Sequence, residues 1–177
     1  VLYYAPTIFK LSGFYTNLDA MALTIIIGIV FVFFTVLSLL FIDRWGRKPL
    51  LITGLLGMSL SLLALSYVFH HHATQLGIKP LALGSILVYI ACFAFSLGSI
   101  VWLMISEIYP LLVRGSGASI ATACNWMTNM LVAGSFLSLV QALGTSGAFN
   151  IYLVLCLLSI IFVVFYVPET KGISLEG

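Results

Sequence analysis

Asn125, Trp126 and Asn129 stand together in "GSGASIATACNWMTNMLVAGS", and their types suit one task. A flat indole packs on the C–H face of a sugar ring, while carboxamides donate to and accept from its hydroxyls. Asn125 and Asn129 are four residues apart, which puts them on one face of a helix. A second reading stands beside this one: the two amides bond between helices and Trp126 fills space. Trp102 belongs to the same aromatic type, but five residues before Glu107 it serves equally well as an interface anchor. Tyr3 and Tyr4 precede Pro6. Neighbouring residues on a helix point different ways, so at most one of them faces a given cavity.

A second group is ionic. The chain has seven Lys+Arg and five Asp+Glu, twelve charges together, and "FIDRWGRKPL" holds four of them, Asp43, Arg44, Arg47 and Lys48. Glu107 and Arg114 flank "IYPLLV", and Glu169 sits in "VPETKG". Acids and bases gathered at neighbouring helix ends make an ion-pair network. Partly desolvated, such a network holds one arrangement of a bundle and opens in another. Left in water, each pair is worth about 0–1 kcal/mol. Gly46 permits a tight turn among these charges, and Trp45 beside it reads as an interface anchor.

These groups need elements to hold them, and composition says which. The chain is 62% hydrophobic and only 7% charged, too little polarity to cover a water-soluble domain. Residues 20–42, 50–69, 81–106, 115–140 and 148–167 contain no Asp, Glu, Lys or Arg, and each window is 20 to 26 residues long. About 20 helical residues cross the ~30 Å hydrocarbon layer of a bilayer. Strands of a membrane barrel would be about ten residues long and would alternate in polarity. The fold class expected is therefore an all-α membrane protein with the lipid bilayer as its solvent. Residues 1–9, "VLYYAPTIF" and its neighbours, are too short to span. They are expected to be the end of a truncated helix, with 168–177 as a tail.

The Lys and Arg residues fall unevenly between alternate turns. Arg44, Arg47, Lys48, Arg114 and Lys171 lie on one side, and Lys10 and Lys79 on the other. The positive-inside rule then puts the Asp43–Lys48 turn, the Glu107–Arg114 turn and the C-terminus in the cytoplasm. Cys92, Cys124 and Cys156 all fall inside spans and are expected to be buried thiols, because neither disulfide nor metal spacing is present. His70, His71 and His72 read as a polar loop tip, with metal binding as the alternative. No cofactor or metal is implied, and the net charge of +2 carries no sign of a nucleic-acid partner.

"VLYYAPTIF", "DRWGRKP", "SEIYP" with its following Arg, "NWMTN" and "VPETKG" occur in this order. In types and spacing the chain resembles the sugar porter family of the major facilitator superfamily over essentially its whole length. The resemblance implies the C-terminal six-helix bundle of a twelve-helix fold, from the end of helix 7 through helices 8–12. It implies transmembrane transport of a monosaccharide, pentose or hexose, by alternating access, with proton-coupled symport foremost. Facilitated diffusion of a hexose and a non-transporting sugar sensor or remnant are the alternatives. An enzyme is not expected. The partners implied are the sugar, a coupled proton and the missing N-terminal six-helix half.

Carried over position by position, Asp43, Arg44, Gly46 and Arg47, with Glu107, Arg114 and Glu169, match the family's cytoplasmic gate. Trp102, Asn125 and Trp126 match residues lining its sugar cavity, and Asn129 lies one turn on. Tyr3 and Tyr4 match a tyrosine pair over the cavity's outer side. The sequence departs from the family's pattern at Phe31, where an Asn is usual, and at Ser99, where a proline is. Ala94 replaces the Glu of facilitative glucose transporters, which is closer to the bacterial symporters.

Overall fold

The computed structural model describes residues 4, 8, 17–71 and 78–169. In chain order its long helices are α1 (Asn17–Trp45), α2 (Arg47–His71), α3 (Ile78–Phe95), α4 (Leu97–Ile108) and α5 (Arg114–Tyr166). Tyr3 and His72 fall outside the described residues, as does most of 1–9 and of 168–177. Among the described residues there is no strand. In hydrocarbon a helix satisfies its main-chain donors and acceptors internally, and runs this apolar have no other open-chain solution. The helices reach beyond the charge-free windows at nearly every end, since the polar residues flanking each window continue the same ladder.

The interruptions of these helices organise the bundle. At 53 residues and 1.5 Å per residue, α5 would be about 80 Å long if straight, more than twice a bilayer's hydrocarbon thickness. It folds back at Gly144, whose φ of 75° and ψ of 169° lie outside the helical region. Phe136 and Tyr152, equally far from Gly144 along the chain, stack with centroids 6.2 Å apart. Residues 114–143 and 145–166 therefore run side by side as two helical arms, one over each of the two apolar windows in this stretch.

The third window is broken differently. Ser96 separates α3 from α4 with φ −120° and ψ −92°, and no proline stands at the break. The serines bond back to carbonyls of the preceding turn: Ser96 Oγ donates to Cys92 O at 2.8 Å, beside the main-chain Ser96 N at 3.2 Å, and Ser99 Oγ donates to Ala94 O at 2.9 Å. Side-chain bonds of this kind compete with the helical ladder. The Ser96 side chain presses on Gly54 of α2, and Cys92 Sγ presses on Gly57, so closely that a Cβ at either glycine would collide. Small residues at such crossings let helix backbones approach.

α2 is the central helix: 56% of its apolar window is buried, against 17% for α1. One core cluster joins Leu62, Leu65 and Val68 of α2 to Ile86 and Ile90 of α3 and to Phe136 and Phe149 of α5. A second cluster, at the other end, joins Leu50, Leu51 and Leu55 to Ile42, Ile100, Met104 and Val163. Cys92 and Cys156 are half-buried, but Cys124 is exposed. The expectation of burial fails at Cys124 because the 114–143 arm packs on the bundle along one stripe only.

Gly46 joins α1 to α2 at φ +91°, a conformation that costs an L side chain of order 1–3 kcal/mol. A Cβ there would also lie 2.8 Å from Glu169 Oε2. Gly46→Ala is expected to destabilise the protein by about 2 kcal/mol or more. Gly84→Ala, whose Cβ would meet nothing within 4 Å, should be neutral or slightly stabilising. Thermal unfolding of both variants in detergent checks this; equal midpoints would contradict the account of Gly46.

Candidate functional site

Two sites emerge, one ionic at the α1–α2 turn and one inside the bundle. In the ionic site Arg47 is the hub. Its guanidinium meets Glu107 at 2.8 Å, and the two side chains are only 12% and 15% exposed. Asp43 stands 3.5 Å from Arg47 but is 81% exposed, so its share of the attraction is largely screened. Glu169 acts on the main chain instead. Its two oxygens accept from Arg47 N at 2.9 Å and Lys48 N at 3.0 Å.

That capping completes the start of α2. A helix leaves its first four N–H groups without internal partners. Here Gly46 N donates back to Ile42 O at 3.1 Å, Glu169 takes the next two, and Pro49 has no N–H. A carboxylate also complements the positive end of the helix dipole. The Lys48 ammonium donates to Val164 O, tying the same turn to the end of α5. Arg114 opens α5 and donates Nε to Tyr109 O at 3.2 Å. Arg44 is exposed in the last turn of α1.

Within the bundle a cavity of about 790 Å³ is lined by Trp102, Asn125, Trp126, Asn129 and Tyr4, together with residues of every long helix except α2. The described residues picked out as sugar contacts in the sequence thus share one cavity. Their roles differ, however. Tyr4 stacks on Phe136 with centroids 4.4 Å apart, and its hydroxyl donates to Ala133 O. Asn129 turns Nδ2 back onto Asn125 O at 3.0 Å, so half of its amide serves its own helix. The half-buried Asn125 carboxamide takes part in no hydrogen bond among the described residues, which leaves both its donor and its acceptor for a ligand.

Sequence reasoning missed Tyr89, Phe93, Phe136 and Tyr152, which also line the cavity. Helical spacing carried the signal. Tyr89, Phe93, Leu97 and Val101 recur every four residues, and Asn125 and Asn129 continue through Val132 and Phe136 on one stripe. His70 lies apart, in a smaller cleft of about 320 Å³ with Ser66, Ser146 and Asn150. Ser66 donates to Asn150 Oδ1 at 2.7 Å and meets Ser146 Oγ at 3.0 Å, an interhelical clamp between α2 and the 145–166 arm. Among the described residues no three His, Cys, Asp or Glu side chains gather as metal ligands.

Helices long and apolar enough to cross a membrane thus surround a cavity with an aromatic lining and an open amide. The chain belongs to the sugar (and other) transporter family, whose family model matches residues 1–177. It is 42% identical over 177 residues to D-xylose-proton symporter-like 2 of Arabidopsis thaliana, covering 99% of this chain and 34% of that protein. It is 38% identical over 176 residues to the galactose-proton symporter of Escherichia coli strain K12, covering 99% and 38%. Among solved structures, the proton:xylose symporter XylE of the major facilitator superfamily, bound to 6-bromo-6-deoxy-D-glucose, superposes with a TM-score of 0.88. There the identity is 39%, and the match covers 99% of this chain and 37% of that one. The chain spans about a third of the length of the curated relatives it matches. Its fold is that of the major facilitator superfamily.

Removing Glu107 would leave the enclosed Arg47 guanidinium without its close partner, and Glu107→Ala is expected to cost about 2–3 kcal/mol. Asp43→Ala should change stability by less than about 0.5 kcal/mol. Denaturation midpoints in one detergent compare the two. Equal effects would contradict the placing of Arg47 as the hub.

Proposed function

We propose that this chain is the C-terminal six-helix half of a twelve-helix transporter that moves a monosaccharide, a pentose or hexose, across a cell membrane by alternating access. The observation that carries the reading is the open Asn125 carboxamide in a cavity with Trp126 and Trp102. Sugars are amphipathic: hydroxyls need donors and acceptors, and ring faces need flat apolar surface. In this reading Asn125 grips hydroxyls, Trp126 and Trp102 pack the ring, and the remaining Asn129 oxygen accepts one turn on. Tyr4, and Tyr3 beside it, would cover the outer side.

Proton-coupled symport is the foremost form of the reading, since the D-xylose, galactose and arabinose relatives are named proton symporters. The coupling acid would lie in the N-terminal six-helix half, which would also supply the facing wall of the cavity. The two halves would rock about the sugar near the midplane. Arg47, Glu107, Asp43 and Glu169, with Arg44, Gly46 and Arg114 around them, would form the gate, holding one arrangement until their contacts open. The concentration of Lys and Arg at this end favours a cytoplasmic placing, with the C-terminus on the same side of a plasma or inner membrane.

Uptake of labelled pentoses and hexoses by the full-length transporter in proteoliposomes tests the proposal. Saturable uptake that rises with an inward proton gradient is expected. Asn125→Ala and Trp126→Ala should each lower kcat/KM by about 10–100-fold, the worth of one hydrogen bond or stacking contact made inside the cavity. Uptake indifferent to the gradient would replace symport with facilitated diffusion. Normal transport by both variants would return Asn125 and Asn129 to the role of helix packing.

A further inference from the structure

The smaller cleft, between α2 and the 145–166 arm, faces away from the cavity. α2 gives the cavity no residue, and Asn150 of the cleft is two residues from Tyr152, which lines the cavity. At about 100° of helical turn per residue, those two side chains leave the arm on opposite sides. The cleft's lining is ordered along the bundle. His70 and Ser146 stand at its mouth, Ser66, Tyr67 and Asn150 one turn further in, and Leu63 and Leu153 a turn deeper. Counted from Arg47 at 1.5 Å per residue, Leu63 to His70 lie about 24–35 Å along α2. That is where a hydrocarbon layer of about 30 Å gives way to headgroups. The polar atoms in the middle of the cleft are unequally used. Ser66 Oγ donates to Asn150 Oδ1 at 2.7 Å, and Ser146 Oγ donates to Ser66 O at 3.0 Å. Asn150 is exposed, and its Nδ2 makes no hydrogen bond among the described residues. On a face that meets lipid, that donor must be answered from outside the chain.

We propose that this cleft binds a glycerophospholipid of the leaflet opposite the Arg47 end, the outer leaflet in the transport reading. The lipid's phosphate oxygens accept from Asn150 Nδ2, with the Tyr67 hydroxyl and the His70 imidazole beside them, and its acyl chain starts along Leu63 and Leu153. The site goes beyond sugar transport and needs only that the helices span a bilayer. A phospholipid carries its polar and apolar parts in the same order, over the same two helical turns, as this lining. An N–H group donating to a phosphate makes a charge-assisted bond, stronger than one to water or to an ester carbonyl. Among the described residues no Asp or Glu lines the cleft, so an anion entering it meets no like charge there. Its volume of about 320 Å³ has room for a phosphoglycerol and the first carbons of a chain. The same amide thus serves twice: Ser66 holds Oδ1, and that bond orients Nδ2 for the lipid.

Native mass spectrometry of the full-length transporter, delipidated in detergent, reads this binding directly and independently of uptake. Dioleoyl phosphatidylglycerol should be retained as one tight copy, and dioleoylglycerol, which lacks the phosphate, should not. Asn150→Asp keeps the acceptor for Ser66 and sets a negative oxygen where the donor was. It should weaken the phospholipid by about 10–100-fold, the worth of one hydrogen bond to a charged group. Phe165→Leu, at an exposed position far along the same arm, should leave binding unchanged. Leu63→Trp fills the apolar end without touching the clamp. It should weaken binding likewise, and it is the variant to read if Asn150→Asp does not fold. Phospholipid held as tightly by these two variants as by the wild type, or equal retention of dioleoylglycerol, would reduce the cleft to ordinary apolar surface and overturn the proposal. Release of the lipid by excess inorganic phosphate would overturn it in favour of a free-anion site, and failure to retain any tight copy would overturn it outright.

Discussion

In hydrocarbon every main-chain N–H and C=O needs a partner from the protein, because no water is there to supply one. That constraint makes the long segments helical, and it makes each departure from a helix a place where side chains must intervene. At Ser96 the hydroxyls of Ser96 and Ser99 bond back to carbonyls of the preceding turn, Cys92 O and Ala94 O. At Gly46 the constraint relaxes toward the interface, yet the first N–H groups of α2 are still fully answered, by Ile42 O and the two oxygens of Glu169. The bundle's architecture is largely the record of where its helices stop and how the stops are satisfied.

The charged end shows how one residue can be held by acids of different kinds. Glu107 meets the Arg47 guanidinium where both are enclosed, Glu169 meets the main chain of the same residue, and Asp43 approaches from water. A desolvated charge pair is expensive to break singly and gains little over an apolar pair in stability. Its value lies in specifying one arrangement, and here it ties α2 to α4 while Glu169 ties the same turn to the end of α5. A contact set that spans three elements through one turn is suited to switching as a unit.

The cavity places amides on one side and aromatic or aliphatic surface on the others, so whatever enters must be amphipathic in a matching sense. Much of this was legible beforehand. Asn125, Trp126 and Asn129 stood out because polar residues in the middle of an apolar span are costly without a purpose. Tyr89, Phe93 and Tyr152 did not stand out, because aromatics in apolar helices are ordinary core residues. Only packing shows which ones border empty space. The split role of Asn129 was likewise beyond the sequence: its spacing from Asn125 allowed a ligand contact or a bond back to the helix, and the structure has Nδ2 making the latter.

The all-helical character, the long apolar segments and the grouping of charged residues in a few turns were legible in the sequence alone. Lipid acts on each segment by its own composition, so solvent preference is written locally. The tertiary structure decided what depends on residues distant in the chain. Glu169 caps a helix that begins 122 residues earlier, and Ser66 is clamped to Ser146 from 80 residues away. The break at Ser96 takes its place from the serine's own hydroxyl and from the glycine facing it on α2. No local pattern encodes such meetings, since they arise only when helices of fixed length pack side by side and leave particular side chains within reach.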